Sequence, residues 1–399
     1  MNRGWARGSQ HVTVIGCDGR PPGPDATDAL AEARTVIGAP RHLSAAPIPE
    51  TAERIELGHL DEALDTIAAR EGPTAVLASG DPGFFGIVRA LRARGITPYV
   101  IPAVSSVADA VARLGLDWDD ALVVSAHGRD PRKALAAALA HPKAAILTAP
   151  GTAAGLARDL HAAGKRVYAV ELIGTPEEKV SVLPAETGLA DPNILIALDP
   201  DDAPGPPRWL AGHPGAPDGW ALPEDAFEHR DSMITKPEVR ALVLARLGPA
   251  PGRAIWDVGA GSGSVAVECA RFGAWVIAIE SDPAQCEKIR GNAERHHVRL
   301  RVHQGRAPEA LIGLPPADAV FAGGGDHTVL ATAIRLASPR TVVVTLAAVQ
   351  RVGETATLLT GQGYRAEGVQ LQVSRLKPLP GGNHRLAAQN PVFVLWGQR

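Results

Sequence analysis

The sequence predicts an α/β protein made of two successive units with mostly parallel sheets, the second doubly wound. Three observations carry this. Short apolar runs of strand length alternate with Ala-rich stretches of helical period along most of the chain. Glycine-rich loops follow several of those runs directly, at the strand ends where open α/β sheets hold ligands. Between 199 and 223 the run DPDDAPGPPRWLAGHPGAPDGWALP has neither hydrophobic period and is crowded with proline and glycine, which reads as a linker. The expected organisation is a domain over residues 1–200, a linker over 201–223 and a second domain over 224–399, each long enough for its own core.

In the first domain the strand-like runs fall at 12–16, 75–79, 121–125, 144–148, 166–170 and 194–198. Helical periods cover 61–70, 88–94, 106–114 and 153–163, and strands alternating with helices imply parallel pairing. A break near 118–121 divides this domain into two α/β lobes. The second domain has a tighter pattern: helix 236–247, strand 253–258, helix 264–272, strand 275–280, helix 283–296, strand 300–304, strand 319–322, helix 328–336 and strand 341–345. It closes with helix 353–362, strand 365–373, a Gly/Pro loop and strand 392–397. Two late strands after repeated strand–helix units predict an antiparallel edge on a doubly wound sheet.

Composition narrows the function classes. With 399 residues, 45% hydrophobic and 21% charged, the chain is ordinary for a globular protein, which excludes disorder throughout. Aromatics are 4% and only two residues are Met, so the cores rest on Ala, Val, Leu and Ile. Cys17, Cys269 and Cys286 are far apart without metal-ligand spacing. That argues for a reducing compartment and predicts no metal site and no disulfide framework. No secretory h-region opens the chain and no run is long and apolar enough to span a bilayer, so a cytoplasmic location is expected. The net charge of −3, without a dense basic stripe, argues against a nucleic-acid partner.

Chemistry is concentrated in the loops. In the second domain Asp257-Val-Gly259-Ala260-Gly261-Ser-Gly263 follows a strand and opens a helix. The glycines allow positive φ and close ligand approach, and the helix N-terminus offers free N–H groups. The pattern is GxGxG, not the GxGxxG of dinucleotide sites. Glu280 ends the next strand, with Ser281 behind it, and a carboxylate there can accept from both ribose hydroxyls of an adenosine. The lesser reading of this loop is a turn that serves only the chain reversal. Gly305-Arg306-Ala307-Pro308 follows the third strand and Gly323-Gly-Gly-Asp326 the fourth. In the first domain the strand-end loops are Ser79-Gly80-Asp81-Pro-Gly-Phe-Phe-Gly86, Pro102-Ala-Val-Ser105-Ser106-Val107 and Val124-Ser-Ala-His127-Gly-Arg129.

Taken in order, SGDPGFFG, PAVSSV and VSAHGR resemble the tetrapyrrole (corrin and porphyrin) methylase family. Across the linker, MITKPEVR (233–240), WDVGAGSGSVAVE (256–268), GRAPEAL (305–311) and FAGGGD (321–326) are similar to the decarboxylating methyltransferase domain of cobalamin biosynthesis. The resemblance covers about 11–200 and 224–399. It implies a two-lobed tetrapyrrole-methylase fold followed by a Rossmann-like methyltransferase fold, each with its own S-adenosylmethionine (SAM) site.

The implied reaction is SAM-dependent methylation of precorrin-6B at C5 by the first domain and at C15 by the second. The ring-C acetate is lost as CO2, giving precorrin-8. The cofactor residues that the resemblance implies are Asp257, Gly259, Ala260, Gly261, Gly263, Glu280, Ser281, Arg306 and Ala307 in the second domain, and Gly80, Asp81, Ser105 and Ser106 in the first. A homo-oligomer is expected.

The loop at Val14–Gly19 is shorter and less glycine-rich than the tetrapyrrole methylases' usual opening, and no cofactor contact is assigned to it. The run Thr345–Gln350 departs from the Asn-Ala-Val-Thr-Leu-Glu common in the second family, so no substrate group is assigned there.

The substrate carries many carboxylates, so cations are expected at the mouth. Lys236 and Arg240, one turn apart on the helix beginning near 235, are candidates, with Thr235 as substrate contact or helix cap and His127 in the first domain as a further contact. Asp326 and His327 are candidate proton carriers. Three rival readings remain: an NAD-dependent dehydrogenase, a non-catalytic SAM-binding protein, and an RNA or protein methyltransferase. A cobalt-loaded substrate is a variant of the first reading.

Overall fold

The structure is a computed structural model that describes residues 12–58, 60–183, 188–200, 211–212, 217–230, 234–324 and 326–399. Most of the expected linker, together with Met233 and Gly325, lies outside the described residues. Two compact units form. One takes in 12–118, 125–129 and 145–200; the other takes in 119–124, 130–144 and the described residues after 210.

The chain begins β1 (Val12–Cys17), α1 (Pro24–Glu32), β2 (Thr35–Gly38), α2 (Pro40–Ala45), β3 (Glu53–Glu56) and α3 (Leu60–Ala68). It continues β4 (Thr74–Ser79), α4 (Val88–Ala93), β5 (Tyr99–Ile101) and α5 (Ser106–Arg113). The five strands form a parallel sheet in the order β3-β2-β4-β1-β5. β1 and β4 are central, and Val14, Ile15, Val76 and Leu77 on them are buried on both faces. That is why these two strands read from the sequence as continuous apolar runs. β3 is one of the two edge strands, and its sequence Glu-Arg-Ile-Glu carries charges that blunt further pairing.

A second sheet has the order β6-β7-β10-β8-β9. It is made of β6 (Leu122–Ser125), β7 (Lys143–Leu147), β8 (Arg166–Glu171), β9 (Lys179–Leu183) and β10 (Asn193–Leu198). α6 (Pro131–Ala140) and α7 (Ala153–Ala162) lie between them in sequence. β8 pairs antiparallel with both β10 and β9. These two pairings depart from the parallel pattern expected, because hairpin-like returns replace helical crossovers there.

In the second unit follow α8 (Pro237–Leu247), β11 (Ala254–Val258), α9 (Ser264–Arg271), β12 (Trp275–Glu280), α10 (Pro283–Arg295), β13 (Arg301–Gln304), β14 (Ala319–Gly323), α11 (His327–Ala337) and β15 (Thr341–Leu346). Last come α12 (Gln350–Gly361), β16 (Arg365–Leu371), β17 (Ser374–Pro378), β18 (His384–Ala388) and β19 (Val392–Gln398).

The sheet order is β13-β12-β11-β14-β15-β19-β16. Its first five strands are parallel, and β19 is inserted antiparallel between β15 and β16. Successive residues of β11 point to opposite faces. Ile255 packs with Val243, Leu247, Val265 and Cys269 of α8 and α9, while Trp256 and Val258 pack with Ile277, Val320 and Ala333. The stretch 374–388, expected as a loop, forms the separate two-stranded ribbon β17–β18. Its polar, Gly/Pro-rich sequence hides the strands because neither face is buried in a core.

Candidate active sites

In the second unit the strand order reverses at β11, and the loops after β11, β12, β13 and β14 meet at the C-terminal edge of the sheet. Gly259, Gly261 and Gly263 have φ of 73°, 56° and 75°. Around Gly259 and Gly261 a Cβ would meet open space, so their conformation leaves a cradle beside the backbone. Gly263 differs: a Cβ there would lie 2.9 Å from Ile289, so this glycine also lets α9 and α10 pack closely. The loop is anchored by Gly259 N and Ala260 N, which donate to Ile279 O at 2.9 and 3.1 Å.

Glu280 ends β12 as expected and holds this loop. Its Oε2 accepts from Gly261 N at 2.8 Å, and its Oε1 accepts from Ser281 N at 2.7 Å and Asp282 N at 2.9 Å. Ser281 Oγ also donates to Oε1, at 3.3 Å. Oε2, with one partner, keeps acceptor capacity for a ribose hydroxyl. Gly305 N donates to Glu280 O at 2.8 Å, which draws the Arg306–Ala307 loop alongside. Arg306 is exposed and Ala307 half-buried. At the end of β14 a Cβ on Gly323 would lie 3.3 Å from Gly259 O, so that loop reaches the same cradle.

Asp257 is buried at the start of the loop, and its Oδ2 accepts from Ala266 N at 3.0 Å. Its Oδ1 is buried with no hydrogen-bond partner. Burial pushes its carboxyl up to about 7. An orphaned buried acid beside an open glycine cradle fits a ligand that brings a cationic group, as SAM does.

The mouth differs from expectation. Arg240 is fully buried and does not line it. Its Nε donates to Glu268 Oε1 at 2.6 Å, its Nη1 to Thr235 O at 2.6 Å and its Nη2 to Leu222 O. Glu268, also fully buried, accepts from Ala221 N at 2.7 Å and Leu222 N at 2.9 Å. The pair therefore fastens the segment before α8 onto α9, and Arg240 is a structural clamp, not a substrate contact. Thr235 contributes its carbonyl to the clamp. It does not cap α8, whose N-cap is Lys236 with no side-chain cap bond.

Lys236 pairs with Glu224, and Arg375 of β17 pairs with Glu224 at 2.8 Å and with Glu238 at 3.0 Å. The cations at this edge are thus Lys236 and Arg375. Arg375 was not legible as a partner of this region because 137 residues separate it from Glu238.

Asp326 is the N-cap of α11 and accepts from Val329 N at 2.9 Å. His327 Nδ1 lies 3.6 Å from Glu354, and its Nε2 is buried without a partner. Asn292 is a further residue that sequence reasoning missed. Fully buried on α10, it donates to Ser262 O and to Glu228 O, both at 2.9 Å, and so holds the glycine loop from below. Only its polarity on a buried helix face could have flagged it.

In the first unit three loops converge at the C-terminal edge of β1, β4 and β5. A Cβ on Gly16 would lie 2.6 Å from both Ala103 N and Gly80 O, so the β1 loop belongs to the same edge. Gly80 (φ 61°) donates to Cys17 O at 2.7 Å, and a Cβ on it would lie 3.1 Å from Ser106 N. Asp81 Oδ1 accepts from Gly83 N at 2.8 Å, and Ser105 caps α5 by accepting from Val107 N at 3.2 Å. Asp18 Oδ2 accepts from Val104 N at 3.3 Å and pairs with Arg20, which also reaches Asp109 at 2.9 Å. Gly80, Asp81, Ser105 and Ser106 are thus brought together. His127 is exposed in the turn after β6.

A doubly wound sheet with a GxGxG cradle, preceded by a unit whose strand-end glycine loops converge independently, defines a two-domain SAM-dependent methyltransferase. Residues 225–398 match the family model described as a precorrin methyltransferase domain, and residues 14–187 match that of the tetrapyrrole (corrin/porphyrin) methylases.

The chain is 39% identical over 328 residues to the precorrin-6Y C(5,15)-methyltransferase (decarboxylating) of a Sinorhizobium species, covering 76% of this chain and 75% of the relative. It is 33% identical over 314 residues to the protein of the same name from Mycobacterium tuberculosis (strain CDC 1551 / Oshkosh), covering 74% and 75%. It is also 33% identical over 196 residues to the probable cobalt-precorrin-6B C(15)-methyltransferase (decarboxylating) of Pyrobaculum aerophilum, covering 47% of this chain and 97% of the relative. The chain belongs to the precorrin-6Y C(5,15)-methyltransferase (decarboxylating) family and is a SAM-dependent C-methyltransferase.

Proposed function

We propose that the chain methylates precorrin-6B at C5 in its first domain and at C15 in its second, with loss of the ring-C acetate as CO2, giving precorrin-8. The observation that carries this reading is the pair of separate strand-end glycine constellations, each on its own sheet and each within a different methylase match. We infer two SAM sites per chain from the same pair. The sparse, free cysteines fit a cytoplasmic enzyme, and a homo-oligomer is the expected assembly.

SAM, when bound, supplies a methyl group already activated on a sulfonium. The chain's own residues hold and align. In the second domain Gly259, Ala260, Gly261 and Gly263 form the cradle, Glu280 and Ser281 take the ribose side, Arg306 and Ala307 the adenine side, and Asp257 faces the cationic end. In the first domain Gly80, Asp81, Ser105 and Ser106 do the corresponding work. The meso carbons of a reduced tetrapyrrole are enamine-like and nucleophilic, so alignment and water exclusion do most of the catalysis. Alignment contributes roughly 7–11 kcal/mol in such cases. Lys236 and Arg375, now paired with Glu224 and Glu238, are the cations that would exchange those partners for the substrate's carboxylates. Asp326 and His327 are the polar groups at the β14 edge for proton movement there.

The test is product mass spectrometry of the full chain with SAM and metal-free or cobalt-loaded precorrin-6B. The expected product has gained two methyl groups and lost CO2 from the metal-free substrate. Turnover of the cobalt-loaded substrate alone would reassign the substrate, and a product with no added methyl would overturn the reading. Titration with S-adenosylhomocysteine should saturate near two per chain, and NAD should not bind.

A further inference from the structure

One polar cluster at the edge of the first unit's sheet has no part in the cradle described above. Ser79 is the last residue of β4, in register with Cys17 of β1, and immediately precedes Gly80 and Asp81. It is exposed at the edge where the β1, β4 and β5 loops meet. Arg41 and His42 come from the first turn of α2, which follows the neighbouring strand β2. Arg41 Nη2 donates to Ser79 Oγ at 2.7 Å, and His42 Nε2 lies 2.8 Å from the same oxygen.

Arginine only donates, so Ser79 Oγ accepts from Arg41 and keeps both a second lone pair and its own proton for His42 Nε2. Nε2 also receives a longer contact from Arg41 Nε, at 3.4 Å, and an Arg41 N–H aimed at Nε2 favours the tautomer in which Ser79 Oγ donates to it. His42 is therefore a neutral imidazole with an unprotonated Nε2, and a hydroxyl that faces the open edge is hydrogen-bonded to it.

Replacing the hydrogen on the reacting meso carbon by methyl forms one C–C bond, breaks one S–CH3 bond and releases one proton. We propose that Ser79 and His42 are the proton-accepting relay of the first domain: Ser79 Oγ takes the proton from the methylated carbon as it passes its own to His42 Nε2, and Arg41 engages the relay by pairing with a substrate carboxylate. The imidazolium then returns its proton to water, so atoms and charge balance without a further reactant. The inference rests on the assignment of C5 methylation to this domain.

The electrostatics support the ordering. Burial first, and then the Arg41 charge, bring His42 down to about 4, so in the free protein the base is held in reserve. A carboxylate on Arg41 offsets the smaller of these two causes and so moves the imidazole upward, toward the range a base needs. Asp18, Arg20 and Asp81 lie at the same edge, and Asp18 is paired with Arg20. Cys17, also there, has its thiol pushed up to about 11 by burial and by Asp18, so it stays neutral and does not compete.

The experiment uses the full chain. Ser79→Ala and His42→Gln should each lower the rate of C5 methylation by about 100-fold, the lower end of what general-base groups contribute. C15 methylation, CO2 release and the two-per-chain binding of S-adenosylhomocysteine should change less than twofold. NMR of ring-labelled histidine should find His42 titrating well below an ordinary histidine, moving up in Arg41→Gln. The acid limb of C5 methylation against pH should vanish from the residual activity of Ser79→Ala. Full C5 rates in Ser79→Ala, or a His42 resonance indifferent to Arg41→Gln, would overturn the relay. Failure of the wild-type chain to place any methyl at C5 would instead overturn the domain assignment on which it rests.

Discussion

Asp257, with the cofactor role proposed for it, would tie SAM binding to pH through one buried carboxyl. Its Oδ1 has no partner, and burial raises the group to about 7 from an ordinary value of 3.8. Above 3.8 the unfolded chain has released the proton while the folded chain keeps it. Stability from this group is therefore greatest below that value, declines as pH rises and levels off above about 7. The ceiling on the loss is about 4 kcal/mol. Asp257→Asn keeps an acceptor for Ala266 N and removes the titration. The variant should show a smaller fall in Tm between pH 5 and pH 8 than the wild type in thermal unfolding, and weaker SAM binding at pH 8. An unchanged Tm difference would show that solvent reaches the carboxyl.

Glu280 makes a complementary case. It already accepts from three backbone N–H groups around the cradle, so with the ribose role proposed for it, removing it would cost both the ligand and the cradle. Charge-assisted bonds contribute roughly 1.5–3 kcal/mol. Glu280→Gln should weaken SAM at the second site about tenfold, and Glu280→Ala more, with a lower Tm. Calorimetric titration with S-adenosylhomocysteine separates the two sites, because the first should keep its affinity.

At the scale of elements, the clamp between α8 and α9 matters most. Arg240 and Glu268 are both fully buried, and Glu268 takes its other hydrogen bonds from Ala221 and Leu222. Breaking such a pair from one side leaves an uncompensated charge and costs about 3–5 kcal/mol. Glu268→Ala should lower stability by that order in chemical denaturation, whereas Arg240→Met with Glu268→Leu should recover much of it.

This is also where the sequence was least legible. Spacing made Arg240 look like a substrate contact because it lies one turn from Lys236 at the expected mouth, where cations for a polycarboxylate were sought. Its hydrogen-bonding partners lie 5, 18 and 28 residues away, and no local period records them. The glycine loops, by contrast, were readable because positive φ is a local demand that glycine meets. The central strands were readable for a similar reason, since burial on both faces leaves an unbroken apolar run. β3, β9, β17 and β18 were missed because edge and ribbon strands lack that run. β2 was missed because four residues, Thr-Val-Ile-Gly, are too short for any period.

For the whole molecule, the clamp moves the natural cut. The second domain was expected to begin at 224, yet Ala221 and Leu222 satisfy a buried carboxylate and Trp220 packs edge-on against Phe272. We propose a boundary upstream of Trp220. A fragment of residues 217–399 should be more stable than one of 224–399, by a kilocalorie or more per lost bond to Glu268, on the order of the cost of an unsatisfied buried group. Equal unfolding midpoints in urea would place those residues outside the folding unit.

The three cysteines, otherwise inert, also make the molecule its own reporter. Cys269 and Cys286 are buried in the second unit, and the Cys286 thiol donates to Glu280 O at 3.5 Å, directly under the SAM cradle. Cys17 is half-buried in the first unit, opposite Ser79 at the strand edge. Burial raises all three thiols, so at neutral pH each reacts with an alkylating reagent only when its surroundings open. A ligand that stabilises one edge should slow labelling of that edge's thiol and leave the other unit's rate alone. Mass spectrometry of partly alkylated protein would thus report occupancy of the two proposed sites separately, Cys17 for one and Cys286 for the other, within a single unmutated chain.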